Sequence, residues 1–513
     1  MKDLLNGWGP TAVVFLPLVG VAAMLLIPKG EETMHKVVAL ITSLVVLAIG
    51  VAMLVEFDYG STAEMQFRVD STWIELINSR YIVGVDGISL PLIALTVFVM
   101  PLVIIYSWDH FPEPHNPKAF LILILILETG MLGSFVAQDL LLFFVFFEVV
   151  LLPMYFMIGV FGGEARKYAS LKFFLYTAFG SALMIVAILA TYFLGPEIGG
   201  QQTFSIEALA QWGGADLQRT TAILIFGGFF MGFGIKVPMF PFHTWLPDAH
   251  TQAPTAGSVI LAALMLKLGT YGFVRIAIPI LPEGAQWWAP VIGALAVIGI
   301  IYGALGCLAQ TDMKRLIAFS SVAHMGYVML GIATLTDFGI NAAIFGMVAH
   351  GLITGMLFFL AGSVKDRFHT LEISRLGGLL LQAPRMGWLL GFACMASLGL
   401  PGLAGFWGEF PAILSAYQPA EGLNVALFRV YMVVAAIGTV FAAGYLLWML
   451  QRIAFGTPTE EFEREHVHDM HLTDYVAWAP FIVLIVGLGV YPNLLFRVTD
   501  GAVIESLTAL AGG

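Results

Sequence analysis

Runs of about twenty apolar residues recur along almost the whole chain, separated by short polar stretches that collect Gly, Pro and charged residues. A helix needs roughly 20 such residues to cross a hydrocarbon core of ~30 Å. Fourteen runs reach that length, at about 10–28, 36–56, 88–108, 118–137, 140–161, 168–194, 220–237, 254–281, 287–308, 313–334, 338–362, 385–412, 428–456 and 475–495. They are too long for transmembrane strands. The pattern therefore predicts an all-α polytopic membrane protein, one domain over residues 1–513, with about 14 transmembrane helices. Two of these should be broken. In the seventh, Phe233–Gly234–Ile235–Lys236–Val237–Pro238 sets a lysine beside a proline. In the twelfth, Leu398–Gly399–Leu400–Pro401–Gly402 precedes Phe406–Trp407–Gly408–Glu409–Phe410–Pro411, the same F-x-x-charge-x-P frame with the opposite sign. Freed backbone groups are tolerated at membrane depth only where they face protein or a cavity.

The breaks lie five spans apart, and an odd offset reverses topology. Broken helices at corresponding positions of two halves point to a transporter's pathway. Spans four to eight (118–281) and nine to thirteen (287–456) are thus expected to form two inverted five-helix repeats.

Composition agrees: of 513 residues, 59% are apolar and 11% charged, against about 25% charged in soluble domains. Only Lys2 precedes the first span and no small-x-small site follows it, so it is expected to stay as a helix rather than to be cleaved. Cys307 and Cys394 fall inside spans and imply neither disulfides nor zinc. The side of the termini holds Lys2, Arg68, Arg80, Arg219, Arg429 and Arg497. The opposite side holds Lys29, Lys36, Lys118, Arg166, Lys167, Lys314, Arg315, Lys365, Arg367, Arg375, Arg385, Arg452 and Arg464. By the positive-inside rule the second side is cytoplasmic and both termini lie outside. A net charge of −11 speaks against a nucleic-acid surface. No phosphate-binding or dinucleotide-binding glycine motif is present, nor H-E-x-x-H. Driving energy must come from an ion gradient or a partner.

The candidate chemistry lies in ionisable residues within spans, which mark pathways by default. Glu148 interrupts an apolar run in span five. Burial favours the neutral form of a carboxylate and a nearby lysine favours the charged form, so a moving lysine can load or empty such a site. Lys236 and Lys267, in spans seven and eight, are expected to be neighbours, and buried lysines release protons more readily. Snorkelling is the bland alternative, stronger for Lys236 than for Lys267 in mid-span. His324 and His350, in spans ten and eleven, suit proton relay. Their alternatives are hydrogen-bonded core histidines or the axial ligands of a haem. Glu409 is read as Glu148 is.

Other polar groups carry weaker signals. Lys172 reads equally as a relay or a snorkelling residue. His243, Asp248 and His250 mimic metal spacing, but hydrogen bonding in the connection after span seven is the expectation, and no metal site is expected anywhere. His466, His468, Asp469 and His471 follow an acidic run and read as a solvated loop. Asp312, Lys314 and Arg315 read as anchors at a cytoplasmic helix start.

Phe147–Glu148 with Leu152–Pro153–Met154–Tyr155, Gly234–Ile235–Lys236–Val237–Pro238, and the run from Pro241 to His250 (PFHTWLPDAH) stand in order along the chain. Asp312–Gly326 (DMKRLIAFSSVAHMG) and Ala349–His350–Gly351–Leu352 follow. These segments resemble the antiporter-like membrane subunits of respiratory complex I over nearly the whole chain. Phe319 stands where tyrosine is common in that family, a mild departure. The resemblance implies a Glu148–Lys236 pair, a central Lys267 and polar stations at His324 and His350. In the twelfth span most members, including the L and N chains and the Mrp sodium/proton antiporter chain, carry lysine; Glu409 marks the glutamate-bearing member.

The resemblance further implies a proton-translocating subunit of NADH:quinone oxidoreductase in a bacterial cytoplasmic membrane, the mitochondrial inner membrane being the lesser alternative. L-type and N-type chains would flank it. No cofactor is expected in this chain; NADH, FMN, iron–sulfur clusters and quinone would belong to partner subunits. The rivals are a subunit of a sodium/proton antiporter, a subunit of a proton-pumping hydrogenase and, from another class, a haem-bearing quinol enzyme.

Overall fold

A computed structural model describes residues 5–462 and 467–508; Lys2, Arg464 and His466 lie outside them. Twelve helices among the described residues are long and apolar enough to cross a membrane. In chain order they begin with α1 (Gly9–Leu26), α2 (Glu32–Glu56), α3 (Ser89–Ser107), α4 (Pro117–Val136), α5 (Leu140–Phe161) and α6 (Arg166–Leu194). The seventh expected span is the helix α7 (Arg219–Lys236), of 18 residues with an arginine and a lysine at its ends. Then come α8 (Thr255–Ile280), α9 (Pro282–Leu308), α10 (Met313–Ala333) and α11 (Asp337–Phe368). The twelfth expected span is split into α12 (Pro384–Ser397) and α13 (Ala404–Ser415). The series closes with α14 (Val425–Ala454) and α15 (Leu472–Val490).

Burial orders these helices. The most apolar windows of α8, α10 and α11 are 94%, 94% and 100% buried, whereas those of α2 and α14 are 28% buried. An apolar helix that is buried all round belongs to the middle of a bundle, and one that keeps apolar residues exposed faces lipid or a partner. The axis of the molecule therefore runs through α8, α10 and α11.

Both breaks occur where the sequence placed them, but on opposite sides of their charged residue. After Lys236 the chain leaves helical geometry until the short helix Trp245–Gln252. The indole N–H of Trp245 donates to Ile235 O at 3.0 Å, satisfying a carbonyl released by the break. Before Glu409, α12 stops at Ser397 and the chain restarts at Ala404. Pro401 supplies no N–H there, and Gly399 and Gly402 take φ of +73° and +94°. Pro411, by contrast, sits inside α13 without ending it.

Among the described residues, two short β-hairpins depart from an all-helical reading, the smaller pairing Glu197–Ile198 with Gln201–Gln202; the larger lies near the start of the chain. Gln66–Ile74 and Ser79–Val85 pair as an antiparallel β-hairpin between α2 and α3. Its partners are helix ends on the same face: Arg80 N–H donates to the Asp139 carboxylate at 2.9 Å, and Asp139 also caps α5 through the N–H groups of Leu141 and Leu142. Short strands outside the hydrocarbon carry little periodic signal beside spans of this length.

Candidate functional site

The central feature is a line of polar side chains through the buried axis. It begins at Lys267, which is fully buried in α8. A π-helical turn over Leu261–Met265 sends the N–H of Leu266 back to Leu261, five residues away. That wider turn leaves Ala262 O open to a second donor, and the Lys267 amino group takes it at 2.6 Å. Such π-bulges recur at functional sites because they re-aim side chains and backbone acceptors. The same amino group lies 2.7 Å from His350 Nδ1 on α11. His350 Nε2 is buried and has no protein partner.

Across from His350, at 6.0 Å between ring centroids, stands His324 on α10. Its Nδ1 lies 2.6 Å from Glu409 Oε1 on α13. A carboxylate oxygen accepts, so Nδ1 carries the proton. Nε2 meets the hydroxyls of Ser397 at 3.0 Å and Tyr445 at 3.2 Å. Hydroxyls both donate and accept, so this shell holds His324 neutral or protonated without turning the ring. Between the two histidines is a cavity of about 20 Å³, lined also by Glu409, Tyr327 and Thr354. That is room for one water, which needs ~10–15 Å³. A macrocycle does not fit, and His324 already has its partners, so the haem alternative fails on space.

Glycines let the line close up. Gly408, beside Glu409, abuts Gly346 of α11 so closely that a Cβ at 408 would fall 2.5 Å from the Gly346 Cα. A Cβ on Gly399 would stand 3.2 Å from Glu409 Oε2. The break before α13 thus gives the carboxylate its space.

The second group centres on Glu148 and Lys236, and here geometry corrects expectation. No ion pair joins them among the described residues. The Glu148 carboxylate accepts from the Ser181 hydroxyl of α6. The Lys236 amino group is buried without a hydrogen-bond partner and lies 4.7 Å from the centroid of the Phe147 ring. Glu148 still acts on it electrostatically through space. Phe147 lies against the amino group, so the charges sense each other without touching. Lys236 and Lys267 also diverge. Their helices press together at Gly269, where a Cβ would sit 3.2 Å from the Lys236 Cβ, but the Lys267 amino group bonds Ala262 O and His350 while that of Lys236 lies over the Phe147 ring.

The weaker signals resolve individually. Lys172 pairs with Asp248 at 2.7 Å, and Arg315 reaches the other Asp248 oxygen at 3.6 Å. His243 Nδ1 and both ring nitrogens of His250 are buried without partners, contrary to the hydrogen bonding expected of them. His250 instead stacks on Phe358 at 4.5 Å, and His243 on Phe240 at 5.6 Å. Lys314 is not a surface anchor: it is buried and donates to Ala253 O. Asp312 caps α10 through the Arg315 N–H at 2.8 Å. Burial outweighs that bond and pushes its carboxyl above the usual range. Asp469 is no solvated-loop residue either; its carboxylate takes the N–H groups of Arg385 and Met386 at the start of α12. No group of three His, Cys, Asp or Glu among the described residues is arranged to hold a metal ion.

Sequence reasoning passed over Glu128, fully buried in α4 and bonded to the Ser43 hydroxyl at 3.1 Å. Its signal, a carboxylate inside Leu125–Ile126–Leu127–Glu128, was the one that singled out Glu148. Ser181, Ser397 and Tyr445 gave none, because small polar residues and tyrosines are ordinary in apolar helices.

Two family profiles match this chain from α1 into α14. That described as NADH-ubiquinone oxidoreductase chain 4, amino terminus, covers residues 13–134, and that described as NADH:quinone oxidoreductase/Mrp antiporter, TM, covers 137–437. The chain is 42% identical to NADH-quinone oxidoreductase subunit M of Rhodobacter capsulatus, over 96% of this chain and 94% of that one. It is 39% identical to the subunit M of Rickettsia typhi, over 94% and 96%. A chain of respiratory complex I from Thermus thermophilus superposes with a TM-score of 0.86 at 29% identity, covering 98% of this chain and all of that one. By sequence along its whole length and by fold, the chain belongs to the subunit M (chain 4) family of NADH-quinone oxidoreductase membrane subunits.

Proposed function

We propose that protons cross this subunit along Lys267, His350, His324 and Glu409, and that Glu148 and Lys236 form the electrostatic switch that loads the line. The chain is a membrane subunit of the NADH:quinone oxidoreductase complex and takes part in its proton translocation, as its family does. The observation that carries the residue-level reading is the continuity from Lys267 to Glu409. Two contacts of 2.7 and 2.6 Å are joined by a cavity fit for one water; Lys267, His350 and His324 stand on the most buried helices, and Glu409 meets them from α13. The Lys267 ammonium passes its proton to the neutral His350 imidazole at Nδ1, and His350 Nε2 passes one to the water. The water passes one to His324 at Nε2, and His324 Nδ1 hands its proton to the Glu409 carboxylate. Each step moves one proton over hydrogen-bond distance.

Two wide polar cavities lie at opposite ends of α8. One of about 690 Å³ lies among the 109–113, 162–163 and 252–256 connections and is bordered by Lys314, Lys365 and Asp366. The other, about 610 Å³, is lined by Glu64, Arg68, Glu207 and Glu505. On the positive-inside count the first faces the cytoplasm, and both termini lie on the outer face. Bacterial relatives imply the inner membrane. We take residues 118–281 and 287–456 as the inverted repeats, with L-type and N-type antiporter-like chains as neighbours. NADH, flavin, iron–sulfur and quinone chemistry then lies in other subunits, and this chain acts as a translocase without a redox centre. The likeness to subunit M over almost the full length of both chains sets the sodium/proton antiporter and hydrogenase readings behind this one.

The test is Lys267→Ala in native membranes. It removes the first donor of the line and leaves an alanine in an apolar helix. Proton pumping coupled to NADH oxidation should be lost in vesicles that contain the complex at normal abundance, with NADH–ferricyanide electron transfer unchanged. Pumping at the wild-type rate would sink the assignment of the line.

A further inference from the structure

The 610 Å³ cavity approaches the polar line and stops short of it. Its most buried polar lining residues are Asp86 and Gln138, 2% and 3% exposed, and Arg275, whose side chain is 12% exposed. Arg275 forms an ion pair with Asp86. The other Asp86 oxygen accepts from the N–H groups of Ile88 and Ser89, at 3.1 and 3.0 Å, and from the Ser89 hydroxyl at 3.1 Å. Both carboxylate oxygens are thus occupied at the start of α3. Arg275 Nε and Gln138 Nε2 are buried without protein partners. Among the described residues, the unpaired buried side-chain atoms that line this cavity are these two donors.

Arg275 also shares a helix face with Lys267. It lies eight residues further along α8, ~12 Å at helical rise, in a second π-helical segment, Phe273–Ala277. Tyr271 fills the turn between them. Its hydroxyl donates to Phe135 O at 3.0 Å, and its ring centroid lies 5.7 Å from the guanidinium carbon. The Lys267 amino group points the other way, to Ala262 O and His350. A guanidinium keeps its proton throughout the range in which proteins work, so it cannot accept and hand on another. A fixed arginine in a narrow polar passage repels protons, as it does in water-selective pores.

We propose that Arg275, locked to Asp86, is a proton barrier: it closes the near exit from α8, so that a proton on Lys267 leaves through His350 toward Glu409. The proposal rests on Lys267 being a proton site. Without the guanidinium, no fixed positive charge would stand between the cavity and Lys267, and water reaching in from the cavity could take its proton. Energy would then leak at the first station of the line.

The experiment uses the assembled complex in inside-out membrane vesicles. Arg275→Gln should retain quinone-linked NADH oxidation to within about twofold while protons pumped per NADH fall by half or more, and the pH gradient should decay faster once NADH is exhausted. Arg275→Lys, which keeps a cation, should restore most of the coupling. Because Lys267→Ala removes pumping, the decay is compared there under a pH gradient imposed by dilution: adding Lys267→Ala to Arg275→Gln should stop the excess decay. Full coupling in Arg275→Gln overturns the barrier, and so does a leak that survives removal of Lys267. Should Arg275→Gln fail to assemble because Asp86 is left as an unpaired buried charge, Asp86→Asn with Arg275→Gln removes both charges. A leak in that double variant upholds the barrier, and tight coupling overturns it. Failure of the underlying reading looks different: Lys267→Ala alone would then pump normally.

Discussion

Lys236→Ala and Glu148→Gln should each lower proton pumping and quinone-linked NADH oxidation by about tenfold or more, an effect that ~1.4 kcal/mol of added barrier suffices to produce. Both variants should leave the complex at normal abundance. The geometry explains why loss of function need not mean loss of fold. In a tight buried ion pair, removing one partner strands the other and costs about 3–5 kcal/mol. Here the two groups are not in salt-bridge contact. Glu148 is held by Ser181, and glutamine can still accept that hydroxyl. The Lys236 amino group lies over the Phe147 ring and has no hydrogen-bond partner, so alanine removes a buried charge without orphaning a hydrogen bond. What disappears is the field that each exerts on the other across a low-dielectric gap, and with it the dependence of one site's occupancy on the other's charge. Glu148→Asp keeps the charge and should retain part of the activity. Pumping in vesicles beside the abundance of the intact complex checks all three variants. If either Glu148→Gln or Lys236→Ala depletes the complex instead, the two residues are a structural pair.

The legibility of this chain in its sequence follows from the cost of burying charge. In a chain with so few charged residues, each one in mid-span must be explained, and that alone brought out Glu148, Lys236, Lys267 and Glu409. The same rule applied evenly would have brought out Glu128. The helix breaks were legible for a similar reason, since Pro and Gly have few roles inside apolar runs. Partner choice was not legible. Nothing in the spacing of Lys267 and His350 shows that a π turn aims one at the other, and nothing near Glu148 names Ser181. Those contacts depend on helix rotation, which is set by packing at sites such as Gly346 against Gly408 and Gly269 against α7. The loop residues were misread for the opposite reason. Lys314 and Asp469 sit at span ends, where charge is cheap, so the sequence gives no sign that one is buried and the other caps a helix. The hairpin at 66–85 escaped because its short alternating pattern is faint beside fourteen apolar runs.

Glu409→Gln should abolish most of the pumping while the complex assembles, because it separates titration from hydrogen bonding at the end of the line. His324 Nδ1–H donates to Glu409 Oε1 at 2.6 Å, and a glutamine oxygen can accept the same bond. The new amide group faces the space beside Gly399, which has no Cβ to oppose it. The structural role of the side chain is therefore preserved, and only its ability to take and release a proton is lost. Glu409→Asp reverses the trade: it titrates but falls a methylene short of His324, so it should retain part of the rate. Glu409→Lys keeps a titratable group but sets a donor against the His324 N–H. The ring would have to exchange its Nδ1 proton for one on Nε2, where the Ser397 and Tyr445 hydroxyls can accept it. Lysine should consequently restore less than aspartate. The measurement is protons moved per NADH oxidised, beside NADH–ferricyanide activity as a count of assembled complex. Wild-type stoichiometry in Glu409→Gln would mean that the carboxylate serves only as an acceptor for His324, and the line would then have to end at the histidine.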